Sequence, residues 1–310
     1  MRKLIPRMTR MTLIGLTIML LLPDIGAARA KAVAYPYKHV NQNVNASSSQ
    51  LRTQPEARLT HWPLFALDEA ESAQASAQGR RARKRRAPVI SWVALERRYP
   101  GVFITHGPRS TRKAALTFDD VPDPRYTGKV LDVLAKYRVQ GTFFVVGSLA
   151  SRYPALVKRM DREGHAIGNH SYTHAVFSQL TQERLNRQIT RTDDVLQALV
   201  GYSPRYIRPP YGEIRPGQLQ WAKRNGYVIV NWDVDSVDWR SLSSAMVMVN
   251  IRRTLQPGSI ILQHAGGGPT QDLSGTVEAL PRIIKLLRSK GYELVTVPEL
   301  LGTSVSRKRY

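Results

Sequence analysis

Two histidines and a pair of adjacent aspartates are the residues of this chain best suited to metal chemistry. His170 and His174 stand four positions apart, a spacing that places two imidazoles on one side of a helical turn, where they can share one cation. Asp119 and Asp120 follow an apolar run. Either aspartate could complete a set of two histidines and one carboxylate that leaves a coordination position open for water. The chain contains no Cys, so thiolate ligands and disulfides are excluded.

Both motifs also have an interpretation without chemistry. Paired histidines occur as surface or N-cap residues, and Asp119-Asp120 could form a turn followed by an N-cap. If the aspartates belong to a site, they are not expected to do the same job, because successive side chains of a strand point to opposite faces. We therefore expect one to bind metal and the other to act as a base.

Two further residues at the ends of apolar runs suit acid–base catalysis. His264 follows Ile260-Ile261-Leu262 and is a candidate general acid, with a hydrogen-bonded core histidine as the alternative. Arg208 cannot lose its charge, so it suits the orientation of a carboxylate. A buried Arg–Asp pair that serves only structure is the alternative for Arg208.

The elements that would position these residues alternate along the second part of the chain. Strands are predicted at Ala114–Phe118, Thr142–Val146, His165–Gly168, Tyr206–Arg208, Tyr227–Trp232, Ser259–Leu262 and Glu293–Val297. Helices are predicted at Lys129–Tyr137, Ala155–Glu163, Thr181–Val200, Gln218–Asn225, Ser243–Leu255 and Thr276–Lys290. The alternation predicts an α/β fold with a parallel sheet, preferably a closed or nearly closed barrel, with an open doubly wound sheet as the alternative. In either fold the candidate residues follow the carboxyl ends of strands, where reactive groups gather.

Five motifs in order along the chain resemble those of the NodB-homology polysaccharide deacetylases, carbohydrate esterase family 4. They are Thr117-Phe118-Asp119-Asp120, His170-Ser-Tyr-Thr-His174, Arg208-Pro-Pro-Tyr211-Gly212, Asp235-Ser-Val-Asp238-Trp239 and Leu262-Gln-His264. The similarity spans residues 91–300, about two thirds of the chain. It implies a distorted (β/α)7 barrel and one divalent metal ion, usually zinc (Zn2+), with cobalt (Co2+) or another divalent ion as the alternative.

The resemblance also implies a role for each matching residue. Asp119 is the general base, and Asp120, His170 and His174 are the metal ligands. His264 is the general acid that protonates the leaving amine, Arg208 orients Asp119, and Asp235 is the carboxylate that tunes His264. The backbone N–H of Tyr211 helps to stabilise the oxyanion, whereas Trp239 and Leu262 line the pocket for the acetyl methyl group.

The amino-terminal third of the chain indicates export. Basic residues precede an apolar run at 11–22, and Ala28-Arg29-Ala30 has the form that a signal peptidase reads. Residues 1–30 are therefore predicted to be a signal peptide, with an uncleaved membrane anchor as the alternative. Both interpretations place the rest of the protein outside the cytoplasm, secreted or associated with the wall or membrane on the outer face of a bacterium.

A basic linker and a basic tail are predicted on either side of the catalytic domain, which we assign to residues 88–302. Residues 31–87 have the composition of a disordered linker and include the run Arg80–Arg86. Residues 303–310 form the tail. The formal net charge of +23 favours anionic partners, so we expect the linker to meet anionic cell-wall polymers or a membrane surface. Nucleic acid is not expected as a partner of an exported protein, and the chain is expected to be a monomer.

The predicted function is metal-dependent removal of N-acetyl groups from a polysaccharide that contains N-acetylglucosamine. The positive charge favours peptidoglycan, whereas chitin-like polymers and poly-N-acetylglucosamine remain open. Two alternatives use the same fold: an esterase that removes O-acetyl groups from xylan or peptidoglycan, and a non-catalytic protein that binds wall polysaccharide.

Overall fold

The structure, a computed structural model, describes residues 90–307. The predicted signal peptide or anchor, the linker at 31–87 with its Arg80–Arg86 run, and residues 308–310 of the predicted tail lie outside these residues. No helix within 90–307 is both long enough and apolar enough to cross a membrane.

The sheet that carries the candidate site consists of nine strands, all paired in parallel. The strands are β1 Phe103–Ile104, β2 Lys113–Val121, β3 Thr142–Val145, β4 Ala166–Asn169, β5 Tyr206–Ile207, β6 Val228–Val230, β7 Val234–Asp235, β8 Ser259–His264 and β9 Glu293–Val295. Their spatial order is β1-β6-β5-β4-β3-β2-β8-β7, and β9 pairs with the start of β2. A bridge between His106 and Ser259 connects the segment after β1 to β8, so the sheet curls into a half-barrel. The predicted (β/α)7-type barrel is confirmed, and the open doubly wound alternative is excluded.

Helices cover the outside of this sheet. They are α1 Trp92–Arg98, α2 Thr127–Tyr137, α3 Gly147–Arg152, α4 Pro154–Arg162, α5 Gln182–Val200, α6 Pro216–Arg224, α7 Ser244–Thr254, α8 Ser274–Ser289 and α9 Val297–Leu301. All six predicted helices are present. Helix α5 starts after Thr181, whose hydroxyl accepts a hydrogen bond from the Arg184 N–H, and ends at Gly201 with a φ of 81°. The elements α1, α3, α9, β1 and β7 were not predicted, because they are too short to show a periodic pattern.

Strand β2 shows how the alternation of side chains directs polar groups into the barrel. Ala114, Leu116 and Phe118 belong to the core between the sheet and the outer helices, where α2 and α8 pack. Ala115 belongs to a second core cluster inside the curled sheet. Thr117 and Asp119 follow Ala115 on the same face and are buried as well. The strand therefore delivers a carboxylate to the interior at its carboxyl end.

Part of the segment predicted as a basic tail belongs to the folded domain. Ser306 forms an antiparallel bridge with Pro204. The N–H of Arg307 donates to the Ser203 carbonyl at 3.1 Å, and the N–H of Arg205 donates to the Val305 carbonyl at 2.8 Å. The domain therefore extends at least to Arg307 rather than ending at residue 302.

Candidate metal centre and active site

The backbone at the end of β2 is irregular, and this irregularity places both aspartates in one site. The register of β2 against β3 shifts between Phe118 and Val121, and Asp120 has a φ of 61°, a left-handed conformation that Asp tolerates better than most residues. Asp119 Oδ2 lies 3.8 Å and Asp120 Oδ1 lies 3.4 Å from His170 Nε2. The expectation that the two carboxylates point to opposite faces is therefore wrong, although their environments differ.

The two histidines converge from a loop rather than from a helix. The segment after β4 is irregular, and Ser171 and His174 have φ values of 66° and 59°. The expectation of a shared helical turn is therefore wrong. The imidazoles still meet, because their ring centroids lie 5.0 Å apart and His174 Nε2 lies 3.0 Å from Asp120 Oδ1.

Asp120, His170 and His174 together have the chemistry of a divalent-metal site. One ligand atom from each lies within 4.8 Å of the others, and in the described chain the buried Asp120 Oδ1 accepts no hydrogen bond. Burial alone would raise the pKa of Asp120, but the two histidines hold that pKa well below its usual value, so the carboxylate is charged. One carboxylate oxygen with two imidazole nitrogens matches the ligand preference of catalytic zinc.

A backbone carbonyl orients the first of these histidines. His170 Nδ1 lies 2.7 Å from the Arg208 carbonyl oxygen. A carbonyl only accepts, so Nδ1 must carry the proton, and Nε2 keeps its lone pair for a cation. The residues present therefore fit a bound divalent ion, and those that would hold it are the three that the family resemblance implies.

Asp119 is held by a fully buried arginine. Arg208 Nη1 donates to Asp119 Oδ1 and to Thr117 Oγ1, both at 2.8 Å. The remaining guanidinium donors reach the carbonyls of Val230 at 3.0 Å and Asn231 at 3.2 Å. Burial lowers the pKa of Arg208 and Asp119 counteracts this, but guanidinium remains charged in any protein environment. The pairing fixes Oδ1 of Asp119 and leaves Oδ2 toward His170.

Opposite Asp119, strand β8 presents His264, which faces Asp119 in the β2–β8 register. His264 Nδ1 lies 2.7 Å from Asp238 Oδ1, and the His264 N–H donates to Asp238 Oδ2 at 2.8 Å. Thr276 Oγ1 also donates to Oδ2, at 2.7 Å. Burial by itself lowers the pKa of His264, but the Asp238 carboxylate outweighs it and raises the pKa to about 9. At neutral pH His264 is therefore protonated and able to act as an acid.

The carboxylate partner of His264 is Asp238, so the expectation that Asp235 fills this role is wrong. Asp235 Oδ1 instead accepts the Val237 N–H at 2.7 Å, and burial raises the pKa of Asp235. Strand β7 ends at Asp235, and Val237 has a φ of 56° before a short 3-10 helix at Asp238–Arg240. This turn brings the second acidic residue of the motif under His264. Both carboxylates stand in the same five-residue motif, and their spacing alone does not show which one is used.

The remaining predicted residues lie around this centre. Tyr211 is 54% exposed, and its ring centroid lies 5.1 Å from that of His174. Tyr211 has a φ of 60°. The N–H groups of Gly212 and Glu213 donate to the carbonyls of Pro209 and Pro210, whereas within residues 90–307 the N–H of Tyr211 donates to no backbone carbonyl outside regular helices and strands.

Trp239 and Leu262 differ in exposure. Trp239 follows Asp238 and is 39% exposed, whereas Leu262 is buried. Leu262 shares a face of β8 with His264, since the two residues are two positions apart in one strand. The roles of Tyr211, Trp239 and Leu262 toward a substrate stay predictions.

Comparison with known proteins places this arrangement in a family. Residues 106–230 match the family model described as polysaccharide deacetylase. The chain is 43% identical over 219 residues to a peptidoglycan-N-acetylglucosamine deacetylase of Bacillus cereus, covering 71% of this chain and 77% of the relative. It is 34% identical over 220 residues to a chitooligosaccharide deacetylase of Bradyrhizobium, covering 68% of this chain and 98% of the relative.

Solved structures agree with these relatives. A crystal structure of a peptidoglycan N-acetylglucosamine deacetylase in complex with 4-naphthalen-1-yl-N-oxidanyl-benzamide superimposes with a TM-score of 0.67 and 41% sequence identity. The match covers 69% of this chain and 99% of that one. With the five motifs brought together at the carboxyl ends of a curled parallel sheet, the chain belongs to the polysaccharide deacetylases of carbohydrate esterase family 4.

Proposed function

We propose that this protein hydrolyses N-acetyl groups of an N-acetylglucosamine-containing polysaccharide, and that its substrate is peptidoglycan. One observation carries the proposal. The Asp120–His170–His174 set lies beside Asp119, a buried carboxylate fixed by Arg208, and the register partner of Asp119 is His264, which Asp238 keeps protonated. A base, a cation site and an acid in one place are what hydrolysis of an unreactive amide requires.

The residues divide the reaction between them. Asp119 accepts a proton from the attacking water, and Arg208 keeps its carboxylate in place. Asp120, His170 and His174 would hold a divalent cation, for which we propose zinc, and the bound cation would supply Lewis acidity to the amide carbonyl and to the water. The Tyr211 N–H is a candidate donor to the oxygen that becomes negatively charged. His264 donates its proton to the nitrogen, which then leaves as an amine rather than as a strongly basic amide anion.

The relatives and the charge support peptidoglycan as the polymer. The relatives named above act on peptidoglycan N-acetylglucosamine and on chitooligosaccharides. The formal net charge of +23 favours the more anionic of these polymers. Chitin oligomers are therefore expected to be weaker substrates than peptidoglycan.

Release of acetate from a panel of polymers tests the proposal. The full-length protein is supplied with zinc or cobalt and incubated with peptidoglycan, chitin oligomers, poly-N-acetylglucosamine and O-acetylated xylan. We expect acetate and free amines from peptidoglycan, and no turnover by the His170→Ala, His174→Ala double variant. Acetate release from xylan alone would contradict N-deacetylation, and equal turnover by the double variant would contradict the metal centre.

We also propose that the protein is exported and acts as a monomer at an anionic surface. The signal-like segment at 1–30 supports export, and the Arg80–Arg86 run supports binding to an anionic surface. Binding of the full-length protein to isolated cell walls should weaken as salt rises. A variant with the arginines of the run replaced by Gln should bind less and lose most of its salt dependence. Recovery of the native protein in the cytoplasmic fraction would contradict export.

A further inference from the structure

A chain of polar side chains, three of them buried and Arg307 half-buried, runs from the metal-ligand loop to the carboxyl-terminal segment. Its members are Asn169, Asp193, Tyr227 and Arg307, drawn from β4, α5, the position before β6 and residues 303–307. Asn169 and Asp193 are fully buried. None of these four residues belongs to the five motifs that carry the chemistry, so their connection to the site calls for an explanation.

Asn169 acts directly on the loop that holds His170. Its Oδ1 accepts the Ser171 N–H at 2.9 Å. Ser171 has a φ of 66°, a conformation that a residue other than glycine keeps only where its surroundings hold it. The Ser171 carbonyl is held too, because it accepts the Gly147 N–H at 2.9 Å. His170 is therefore attached to a backbone segment whose unusual conformation depends on the Asn169 side chain.

Asp193 in turn fixes the orientation of Asn169. Asn169 Nδ2 donates to Asp193 Oδ1 at 2.8 Å and to the Ile189 carbonyl at 2.9 Å. Both acceptors require the amide nitrogen, so Oδ1 can only face Ser171. Rotation of the amide by half a turn would break three hydrogen bonds together.

Arg307 provides the positive charge that a fully buried carboxylate requires. Its Nη2 donates to Asp193 Oδ2 at 2.9 Å, and its guanidinium carbon lies 4.3 Å from the Tyr227 ring centroid. Tyr227 donates its hydroxyl proton to the same oxygen at 2.7 Å. Arg307 is in place because residues 305–307 pair with the segment at 203–205.

We propose that Asn169 and Asp193 are positioning residues of the metal site, and that Arg307 makes cation affinity depend on the docked carboxyl-terminal segment. The contacts define the direction of the effect. Loss of the Arg307 charge leaves Asp193 unpaired, which loosens Asn169, and the loop of His170 and His174 then samples conformations that do not bind. The inference rests on the proposed function, because it assumes that a divalent cation is the ligand of this site.

Zinc affinity of the full-length protein, measured by competition with a chromogenic chelator, tests the inference without recourse to activity. Outer partners of metal ligands usually change affinity by about 10- to 100-fold, so Asn169→Ala should weaken zinc binding by about tenfold or more. Arg307→Gln should weaken it several-fold, and Arg307→Lys, which can still donate to Asp193, should restore most of it. The matched control is Arg288→Gln, which removes an exposed arginine that donates to the Tyr137 carbonyl at 2.8 Å and should leave affinity unchanged.

The outcomes separate this inference from the proposed function. Circular dichroism at the assay temperature verifies that each variant is folded. If Asn169→Ala does not fold, the zinc affinities of Arg307→Gln and Arg307→Lys test the inference instead. Wild-type affinity in folded Arg307→Gln and Asn169→Ala would overturn the inference, as would an equal loss in Arg288→Gln. Failure of the wild-type protein to bind zinc or any other divalent ion would instead overturn the proposed function.

Discussion

Replacement of Asp238 by Asn removes the charge that keeps His264 protonated and changes little else in size or shape. The Asp238 side chain is fully buried and makes three hydrogen bonds, two to His264 and one to Thr276. His264 lowers the pKa of Asp238 although burial would raise it, so this carboxylate is ionised. The variant keeps a side chain that can still accept a hydrogen bond but carries no charge.

The size of the effect follows from the pKa of His264. The pKa is raised from 6.5 to about 9 against the effect of burial, a difference worth about 3 kcal/mol at 1.36 kcal/mol per unit. With that charge removed, Asp120 and Asp119 still raise the pKa against the effect of burial, so the pKa falls back toward 6.5. At pH 8 the protonated fraction then drops from roughly nine tenths to as little as a few per cent, a loss of up to about 30-fold, whereas at pH 6 most of the histidine stays protonated in both proteins.

The pH dependence of the loss in kcat distinguishes a loss of acid catalysis from a general loss of structure. Because the pKa of His264 is raised in the folded protein, its charge stabilises the fold below pH 6.5, and this stabilisation is lost as the pH rises through about 9. The alkaline limb of kcat should follow the same titration. A cation held by Asp120 would cancel negative charge near His264 and would shift the alkaline decline of kcat to lower pH in both proteins. The quantity to measure is therefore the difference in pH between the two declines.

The assay is acetate release from a soluble N-acetylglucosamine oligomer between pH 5 and pH 10, for wild type, Asp238→Asn and Asp235→Asn. We expect the alkaline limb of Asp238→Asn to shift by about two pH units to lower pH. Asp235→Asn, the matched control from the same motif, should shift it much less, because Asp235 makes no hydrogen bond to His264. A large shift in Asp235→Asn, or a loss in Asp238→Asn that is equal at pH 6 and pH 8, would refute the reasoning.

Three further predictions concern residues around the cation. Asp120→Ala should lose bound zinc together with activity, whereas Asp119→Asn should keep zinc and lose about 100-fold or more in kcat. Metal analysis and kinetics check both outcomes, and loss of zinc from Asp119→Asn alone would mean that the two roles are reversed. Arg208→Met leaves the Asp119 carboxylate buried and unpaired, so thermal denaturation should report a loss of about 3 kcal/mol in unfolding free energy, and an unchanged Tm would argue against this pairing. Gly212→Ala places a Cβ within 2.5 Å of Trp92 at a residue with a φ of 68°, so Tm and kcat should both fall; normal values of both would mean that the Tyr211 loop adapts freely.

The sequence alone predicts the parallel sheet, because apolar runs and amphipathic segments alternate over a long stretch and each long element shows its own period. It also predicts which residues are chemically able to form the site, since reactive groups in such folds gather at the carboxyl ends of strands. Short elements escape this reasoning. Trp92 in α1 packs within 2.5 Å of the position where Gly212 would carry a Cβ, yet seven residues show too little periodicity to predict the helix.

The tertiary structure alone decides how the candidate residues are used. Asp120, Ser171 and His174 adopt left-handed backbone conformations, and a pattern based on regular helices and strands predicts neither the shared site of the two aspartates nor the loop that carries the histidines. Whether Asp235 or Asp238 meets His264 depends on the turn at Val237 and on contacts with Thr276, which lies 38 residues away from Asp238 in the chain. Local residue preferences determine the elements and the available chemistry, whereas the pairing of specific atoms depends on backbone angles and distant contacts that no local pattern contains.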